Sequence, residues 1–454
     1  MMKILVTIGP ASLSEETIRH FSKKTNLFRL NGSHGDLNWH QDAIALIRSI
    51  CPRAFILMDI PGIKPRTANT DVIKIVKGQM VSFGEVRYNK DIQHVNLTKP
   101  LPSFGTELQN FSLNDGQFIF DIEQAFDGSV VGKSRESFQI LPKKGINLPG
   151  SIYDEKQQIE IYSDFIEKIK TFEVDALGIS FIQTGSAILE LKQRYPGFIH
   201  IAKVENSEGW RNVYDIANNA DAIMIDRGDL AAEVQFNSLY LAVTEIANVA
   251  KSLGKPLIMA TENLETMVDR DSPSKSEVMS LGHSASIGAD CIMLSEETAL
   301  SENGKVIVDW LDSFFSSNVT LNLKRLQQPK KGATLEIWDT ITHISNAKFL
   351  IMSKSGYAIS KFFSVRPDQS LHLITNKSQL IKLVQLYRAD INVLNPEDFN
   401  NHATADIIWT TVKSNKHSIF GDAEYLVSIH VSKYVAHSRA NSISIYHKSD
   451  FDSL

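Results

Sequence analysis

The sequence predicts an α/β protein whose centre is a (β/α)8 barrel, or TIM barrel, with a small β-domain inserted after the third strand and a C-terminal α/β domain. Three observations lead to this fold. Eight short apolar runs alternate with segments of helical period, the alternation breaks once between residues 67 and 148, and a second α/β pattern follows a polar segment at 322–332. Eight alternations favour a closed barrel over an open sheet.

The eight barrel strands are predicted from apolar runs at 3–8, 26–30, 54–58, 176–179, 200–204, 222–225, 256–260 and 291–294. Helices are predicted between them, for example at 14–24, 37–50, 162–172, 186–194, 236–253 and 275–287. Because the parallel strands of a barrel all end at the same mouth, we expect the polar residues at these ends to ring it. They are Asp59, Ser180, Lys203, Asp229, Thr261 and Ser295.

The inserted domain is predicted from strand-like runs at 72–75, 80–83, 118–120 and 129–131, which Gly, Asn and Asp separate. After a linker at 322–332, the C-terminal unit combines apolar runs at 348–352, 371–374 and 407–411 with a helix at 378–387. It closes on a pair of strand candidates at 425–431 and 442–446. The predicted domains are thus 1–67 and 148–321 for the barrel, 68–147 for the insert and 333–454 for the C-terminal unit.

Composition and charge exclude several classes of partner. The chain of 454 residues carries 47 basic and 52 acidic side chains, a net charge of −5. This balance lacks the basic footprint of a protein that binds nucleic acid or anionic membranes, so we expect neither partner. The two cysteines, Cys51 and Cys291, lie in or beside apolar runs, which is typical of reduced core residues and of a cytoplasmic protein. No segment approaches the length of a signal peptide or a membrane span.

Charged residues end two successive predicted strands, within the strand–helix–strand stretch 201–233. Lys203 and Glu205 are two positions apart, so they project into one space. The next run stops at Asp226, Arg227, Gly228 and Asp229. One ammonium and converging carboxylates suit a divalent cation such as Mg²⁺ together with an anionic oxygen. The alternative is a solvated loop, which is common after a single strand but less so after two in succession.

Seven motifs match one protein family in order. They are TIGPAS (7–12), RLNGSHG (29–35), KKGINLPG (143–150), KVEN (203–206), RGDL (227–230), GKPLIMAT (254–261) and ADCIMLSEETA (289–299). On these residues the chain resembles the pyruvate kinase family over nearly its whole length. The resemblance implies phosphoryl transfer from phosphoenolpyruvate to ADP, giving pyruvate and ATP. It also implies a homo-oligomer, a homotetramer by the family pattern.

The resemblance also implies roles for individual residues. Lys203 looks like the lysine that contacts the transferring phosphoryl group and the enolate oxygen, and Thr261 like the threonine beside the methylene carbon. Glu205 and Asp229 look like the ligands of the catalytic Mg²⁺ or Mn²⁺. Arg29 and Arg66 resemble the phosphate-binding arginines. The backbone N–H groups of the helix that Arg227, Gly228 and Asp229 open would receive the substrate carboxylate.

Two further sites follow from the same resemblance. Arg29, His34 and Lys144 are the candidates for binding the nucleotide, with a purely structural role as the alternative for His34. Asn31, Ser33 and Asp59 match three ligands of a monovalent cation. We nevertheless expect no requirement for K⁺, because Ile60 removes a hydroxyl ligand and Lys64 places an ammonium where most family members carry Glu.

Other positions also depart from the family pattern. Glu262 replaces Gln, and Glu296 replaces Gly. Tyr357 replaces the basic residue of a C-terminal phosphate loop, and for this reason we expect no response to fructose 1,6-bisphosphate. Asp226 stands where Ala is usual. If its side chain enters the pocket, it repels the substrate carboxylate and competes for Mg²⁺; the alternative is an ion pair with Arg227 or Lys255. These changes keep a second function open, that of a catalytically silent or re-purposed protein that binds another 2-oxo acid or serves in regulation.

Overall fold

The computed structural model describes residues 1–105, 108–126, 128–234, 236–317, 333–365, 369–395, 404–430 and 442–451. Within these ranges no helix combines the length and the apolar character that crossing a bilayer requires. The predicted linker at 322–332 lies outside the described residues.

The first three strands and two helices alternate as predicted. They are β1 (Lys3–Thr7), α1 (Glu15–Ser22), β2 (Leu27–Asn31), α2 (Leu37–Ile50) and β3 (Phe55–Ile60). Side chains cap both helices: Ser14 accepts a hydrogen bond from the Thr17 amide, and Asp36 accepts one from the Trp39 amide. These caps fix where each helix begins after the strand-end loop that precedes it.

Between β3 and the return to the barrel, the described part of the chain forms eight strands. They are β4 (Ile73–Ile75), β5 (Met80–Gly84), β6 (Gln93–Val95), β7 (Asn110–Leu113), β8 (Phe118–Phe126), β9 (Ser129–Ser134), β10 (Phe138–Ile140) and β11 (Ile146–Asn147). Six of them form one sheet in the order β11-β7-β8-β9-β5-β6, and β10 pairs with β4. The side chains of Phe83, Phe111 and Phe120 pack at the centre of this inserted domain.

The described residues of the second part of the barrel form five strands and nine α-helices. They are α3 (Glu155–Ile169), β12 (Ala176–Ile179), α4 (Gly185–Arg194), β13 (Ile199–Val204), α5 (Ser207–Arg211), α6 (Val213–Asn219), β14 (Ala222–Asp226), α7 (Arg227–Val234), α8 (Leu239–Ser252), β15 (Leu257–Ala260), α9 (Lys275–Ser286), β16 (Cys291–Leu294), α10 (Glu296–Ala299) and α11 (Gly304–Ser317). Short 3₁₀ helices at Phe236–Ser238 and Glu265–Val268 precede α8 and α9. Helix α3 begins earlier than residue 162, the predicted start, because Asp154 caps it.

The eight barrel strands close in the order β1-β16-β15-β14-β13-β12-β3-β2, and every described pairing is parallel. One apolar cluster lies between strands and helices, and a second fills the barrel interior with residues such as Leu57, Ile201 and Met224. The predicted fold class is therefore confirmed, including the insert after the third strand. The exact domain boundaries remain predictions.

The C-terminal unit is a five-stranded sheet with helices. Its elements are α12 (Ala333–Thr342), β17 (Ala347–Met352), α13 (Tyr357–Val365), β18 (Leu371–Ile374), α14 (Ser378–Leu383), β19 (Ile391–Leu394), α15 (Thr404–Ser414), α16 (Lys416–Phe420), β20 (Tyr425–His430) and β21 (Ser442–His447), with 3₁₀ turns at Val384–Leu386 and Lys448–Phe451. The predicted closing pair, β20 and β21, is present and antiparallel.

One prediction in this unit is wrong. The apolar run 407–411 does not form a strand but lies inside helix α15. Ile407, Ile408 and Val412 share one face of this helix at helical spacing and pack into the sheet's second core. A short apolar run does not by itself distinguish a buried helix from a strand.

Candidate active site

The candidate site lies at the carboxyl ends of the barrel strands. Strand β13 brings Lys203 to this end, and Glu205 follows directly after it. Lys203 and Glu205 continue the series of every second residue that includes Ile199 and Ile201, whose side chains fill the barrel interior. All of these side chains therefore point inward, and Lys203 and Glu205 are almost completely buried. The prediction that the two residues share one space is confirmed.

The ammonium of Lys203 is surrounded by carboxylates. Its Nζ atom lies 3.0 Å from Asp59 Oδ2, 2.7 Å from Glu205 Oε1 and 3.7 Å from Asp226 Oδ2. Burial alone would lower the pKa of Lys203, but Asp59, Glu205 and Asp226 raise it well above its usual value. The lysine therefore stays protonated at neutral pH and is a fixed positive charge in the barrel mouth.

Arg29 is held in a fixed orientation beside it. Its Nε and Nη2 atoms donate to Asp59 Oδ2 at 3.2 and 2.5 Å, and Nη1 donates to Thr7 Oγ1 at 3.1 Å. Burial would raise the pKa of Asp59, yet Lys203 and Arg29 hold it below its usual value. Asp59 is thus an anion that orients two cations, Arg29 and Lys203.

An unusual backbone conformation at Phe181 places a hydrogen-bond donor beside Glu205. The N–H of Phe181, a residue with φ of +55°, donates to Glu205 Oε2 at 2.5 Å. Among the described residues no hydrogen bond of regular geometry reaches the other oxygen, Oε1, which forms an ion pair with Lys203 Nζ at 2.7 Å. Burial raises the pKa of Glu205 well above its usual value, Lys203 opposes that rise, and Asp226 and Asp229 add to it. This carboxylate shares its neighbouring ammonium, Lys203, with Asp59 and Asp226, so the negative charge around it is only partly balanced.

Thr261 and Asp226 form a direct contact across two neighbouring strands. Thr261 Oγ1 donates to Asp226 Oδ1 at 2.9 Å and accepts from the Gly228 N–H at 3.0 Å. Thr261 and Glu262 both lie in the left-handed region, with φ of +57° and +50°. Such strain costs roughly 1–3 kcal/mol per residue and concentrates at functional sites. The guanidinium of Arg227 secures this turn by donating to the carbonyls of Thr261 and Glu262.

Asp229 stands in the first turn of α7, where Lys64 reaches it from the loop after β3. Lys64 Nζ forms an ion pair with Asp229 and a second with Asp115 of the inserted domain, at 2.7 Å. Burial raises the pKa of Asp229 to about 6, with Lys64 opposing the rise and Asp115 adding to it. A residue of the insert therefore contributes charge to the barrel mouth.

Three carboxylates converge on one point. Glu205, Asp226 and Asp229 each offer an oxygen, and these three atoms lie within 4.8 Å of one another. The sequence predicted Glu205 and Asp229 as metal ligands, and the structure adds Asp226. The alternative of an ion pair between Asp226 and Arg227 or Lys255 is wrong, because Arg227 binds the 261–263 turn and Lys255 donates to the Ala220 carbonyl.

The loop after β2 carries the remaining predicted residues of the barrel. Asn31 Oδ1 accepts from the Ser33 N–H at 3.1 Å, and both Ser33 and His34 are exposed. Partial desolvation by the surrounding side chains lowers the pKa of His34, and the charges of Arg66, Arg29 and Lys143 lower it further. His34 thus stays neutral within a positively charged margin of the site, a suitable surrounding for an anionic ligand.

Arg66, at the end of the first barrel segment, and Lys143, in the insert, border the same margin. Arg66 is exposed, and its Nη1 donates to the Lys143 carbonyl at 3.1 Å. Lys144 instead lines a cavity of about 300 Å³ beside Phe118 and Phe138. The lysine whose charge reaches His34 is therefore Lys143, which sequence reasoning did not single out; its φ of +61° sets it apart from Lys144.

Asp115 is the other residue that sequence reasoning missed. It lies in the turn of Asn114, Asp115 and Gly116, all three in the left-handed region. A Cβ on Gly116 would meet the Phe236 ring at 3.2 Å, so the turn packs closely against the barrel. The Asn-Asp-Gly sequence predicts a turn, but it does not predict that Asp115 in this turn pairs with Lys64.

Comparison with known proteins gives a consistent result. The family model "Pyruvate kinase, barrel domain" matches residues 1–305. A pyruvate kinase of Thermococcus litoralis is 31% identical over 316 residues, 66% of this chain and 66%, just under two thirds, of that protein. Pyruvate kinase 2 of Trypanosoma brucei brucei is 24% identical over 94% of this chain and 92% of its own length. A crystal structure of a pyruvate kinase from Cryptosporidium parvum superimposes with a TM-score of 0.79 at 21% identity, covering 98% of this chain and 96% of that one.

Proposed function

The chain belongs to the pyruvate kinase family, and from this premise we propose that it transfers a phosphoryl group from phosphoenolpyruvate to ADP, giving pyruvate and ATP. The observation that carries the proposal is the position of the Lys203 ammonium, 2.7 Å from Glu205 and in the same barrel mouth as Asp229. A fixed cation beside a carboxylate cluster suits a reaction that depends on positioning and charge neutralisation.

Glu205 and Asp229 are the residues that would hold Mg²⁺ or Mn²⁺. The donor set fits, because it consists only of carboxylate oxygens, and Glu205 Oε1 is buried without a regular hydrogen bond. Mg²⁺ takes one or two protein carboxylates and completes its shell with water and substrate oxygens. When bound, the cation supplies positive charge to the phosphoryl and enolate oxygens.

The chain's own groups perform the other tasks. Lys203 neutralises charge on the transferring phosphoryl group and on the enolate oxygen, and Arg29, fixed by Asp59 and Thr7, binds phosphate oxygens together with Arg66. The Gly228 and Asp229 N–H groups at the start of α7 receive the substrate carboxylate. Thr261 then exchanges its hydrogen bond with Gly228 for a place beside the methylene carbon.

The positively charged margin of the site is where we place the nucleotide. Arg29, His34 and Lys144 are its proposed contacts, and Lys143 joins them because its charge reaches His34. The monovalent-cation ligands Asn31, Ser33 and Asp59 stay part of the proposal as a non-essential site. We also propose a homotetramer in the cytoplasm, with small molecules as the only other partners.

One observation favours the second candidate function, a silent or re-purposed member that binds a different 2-oxo acid or regulates another protein. Asp226 faces the site and accepts a hydrogen bond from the Thr261 hydroxyl. A carboxylate in this position repels the carboxylate of phosphoenolpyruvate. We rank this candidate second because Lys203, Glu205, Asp229, Arg29 and Thr261 are all present and close together.

A coupled assay of the purified protein with phosphoenolpyruvate, ADP and Mg²⁺ tests the proposal. We expect turnover that Lys203→Gln abolishes and that Lys133→Gln, at an exposed position on β9, leaves intact. No turnover, together with measurable binding of phosphoenolpyruvate, would instead support the silent member.

A further inference from the structure

Asp226 is the last residue of β14 and points into the barrel. Its side chain lies on the same face of the strand as those of Ala222 and Met224, which belong to the interior apolar cluster. Its exposed fraction is 7%. A carboxylate at this depth requires a cation or hydrogen bonds to offset the free energy of desolvation.

The two oxygens of Asp226 have different surroundings. Oδ1 accepts the hydrogen bond of Thr261 at 2.9 Å. Oδ2 lies 3.7 Å from Lys203 Nζ, beyond hydrogen-bond distance, and within the described ranges no hydrogen bond reaches it. Lys203 is also shared, since Asp59 and Glu205 lie closer to its Nζ atom. Oδ2 is therefore an anionic oxygen whose one neighbouring ammonium is shared with two other carboxylates.

The side chain of Asp226 lies beside two further carboxylates. Asp226, Glu205 and Asp229 bring one oxygen each within 4.8 Å of one another, and Glu205 Oε1 also lacks a regular hydrogen bond. Two ammonium groups, Lys203 and Lys64, offset the three carboxylates only in part. A divalent cation among the three oxygens would supply the missing charge.

We propose that Asp226 is a third protein ligand of the divalent cation, through Oδ2. The inference rests on the proposed function for the identity of the cation site, but not for the reaction. Where two carboxylates bind Mg²⁺, water and substrate oxygens complete the shell; here a third carboxylate replaces one of them. Oδ1 remains bound to Thr261, so the cation and the threonine are held by one side chain.

The test is Mn²⁺ binding to the full-length protein in the absence of phosphoenolpyruvate and nucleotide, measured from the electron paramagnetic resonance signal of free Mn²⁺. We expect one strong site per chain. Asp226→Asn, which keeps the shape of the side chain, should weaken it by at least about ten-fold, a loss typical of changed groups at metal sites. Asp226→Ala should weaken it at least as much. The matched control is Asp221→Asn, at the opposite end of the β14 region, where Asp221 pairs with Lys192.

The outcomes separate this inference from the proposed function. Weakened binding in both Asp226 variants, with circular dichroism unchanged and the Asp221 control intact, supports it. Equal affinity in Asp226→Asn, Asp226→Ala and the unmodified protein overturns it, as does the absence of substrate-free binding in the unmodified protein. Strong Asp226-dependent binding without turnover would leave the inference standing and refute the proposed activity.

Discussion

Lys64, which is buried, and Asp229, which is half-buried, form an ion pair that joins the loop leading into the inserted domain to the first turn of α7. The same ammonium lies 2.7 Å from Asp115 of the insert. Burial alone would lower the pKa of Lys64, but Asp229 and Asp115 raise it above its usual value. A permanent positive charge thus lies beside a proposed metal ligand, and it links the insert to the barrel.

We predict from this pair that turnover does not require K⁺. The Lys64 ammonium supplies a positive charge at this edge of the site, and Ile60 offers no hydroxyl to a monovalent cation. Turnover in a buffer free of Na⁺ and K⁺, with a bulky organic counter-ion, is expected to equal turnover in K⁺ buffer. Strong stimulation of the unmodified protein by K⁺ would count against this prediction.

The Lys64→Glu variant extends the same test. It places a third carboxylate beside Asp229 and Asp115, and like charges at ~4 Å repel by roughly 1–4 kcal/mol between water-like and surface-like dielectrics. We therefore expect lower turnover that added monovalent cations partly restore. Lys74→Glu, at an exposed position on β4, is the charge-matched control and should behave like the unmodified protein.

Metal dependence gives the second prediction. Glu205→Ala combined with Asp229→Ala removes two of the three carboxylates and should abolish metal-dependent ligand binding. Isothermal titration of phosphoenolpyruvate with and without Mg²⁺ measures this loss, and Glu160→Ala with Asp164→Ala on the surface of α3 is the control. Unchanged metal affinity in the site double variant would remove Glu205 and Asp229 from the proposed ligand set.

The barrel could be predicted from the sequence because its strands are buried on both faces and read as uninterrupted apolar runs. An uninterrupted apolar run also explains the error at 407–411. Ile407, Ile408 and Val412 lie on the buried face of a helix, and the run is too short to show the helical period of its apolar residues. Strands β6, β7, β10, β11 and β19 were not predicted. These strands are short or partly exposed. They are defined by hydrogen bonds to a neighbouring strand rather than by a hydrophobic pattern in their own sequence.

The site was predictable where strand ends fix it and unpredictable where separate elements meet. Lys203 and Glu205 follow from alternation along one strand. The Lys64–Asp115 contact joins residues 51 positions apart, and it depends on how a turn of the insert packs against α7. Likewise, only the fold could decide that Asp226 faces Thr261 rather than Arg227.

The third prediction is that fructose 1,6-bisphosphate does not activate the protein. The loop before α13 keeps a turn in which the Gly356 N–H donates to Ser353 Oγ at 3.0 Å, but Tyr357 stands where a basic residue is usual. A phosphate site needs several convergent donors. Substrate saturation curves with and without the sugar bisphosphate, at a constant excess of Mg²⁺, should coincide. A saturable shift between the two curves would refute the prediction.

The fourth prediction concerns the pH dependence of stability. Glu233 on α7 is fully buried and accepts from Asn147 Nδ2 at 2.8 Å, at the end of the insert. Burial raises its pKa from 4.5 to about 8, with Asn147 opposing the rise. Since the folded protein holds this proton more tightly, the free energy of unfolding should fall as pH rises from 4.5 to about 8.

Glu233→Gln keeps the acceptor for Asn147 but cannot ionise. We expect it to flatten the pH dependence in this window and to be more stable than the unmodified protein above it, by on the order of a few kcal/mol. Urea unfolding at a series of pH values measures the effect. Glu160→Gln on the surface of α3 is the control. If Glu233→Gln keeps the full pH dependence, Glu233 is not the group responsible.

The last prediction is that Asp226→Ala improves the affinity for phosphoenolpyruvate at saturating metal. In the unmodified protein the side chain faces Thr261 and Lys203, so its negative charge lies where the substrate brings a carboxylate. At about 4 Å this repulsion amounts to roughly 1–4 kcal/mol, which predicts a several-fold or larger decrease in KM.

The KM measurement must be made at saturating Mn²⁺ or Mg²⁺, because loss of Asp226 is also expected to weaken metal binding. Thr261→Val is the informative comparison, since it removes the hydroxyl bound to Asp226 and keeps the charge. If repulsion is the cause, Asp226→Ala lowers KM and Thr261→Val does not. A KM that stays the same or rises in Asp226→Ala would mean that the carboxylate does not oppose the substrate, and the main argument for a re-purposed site would be lost.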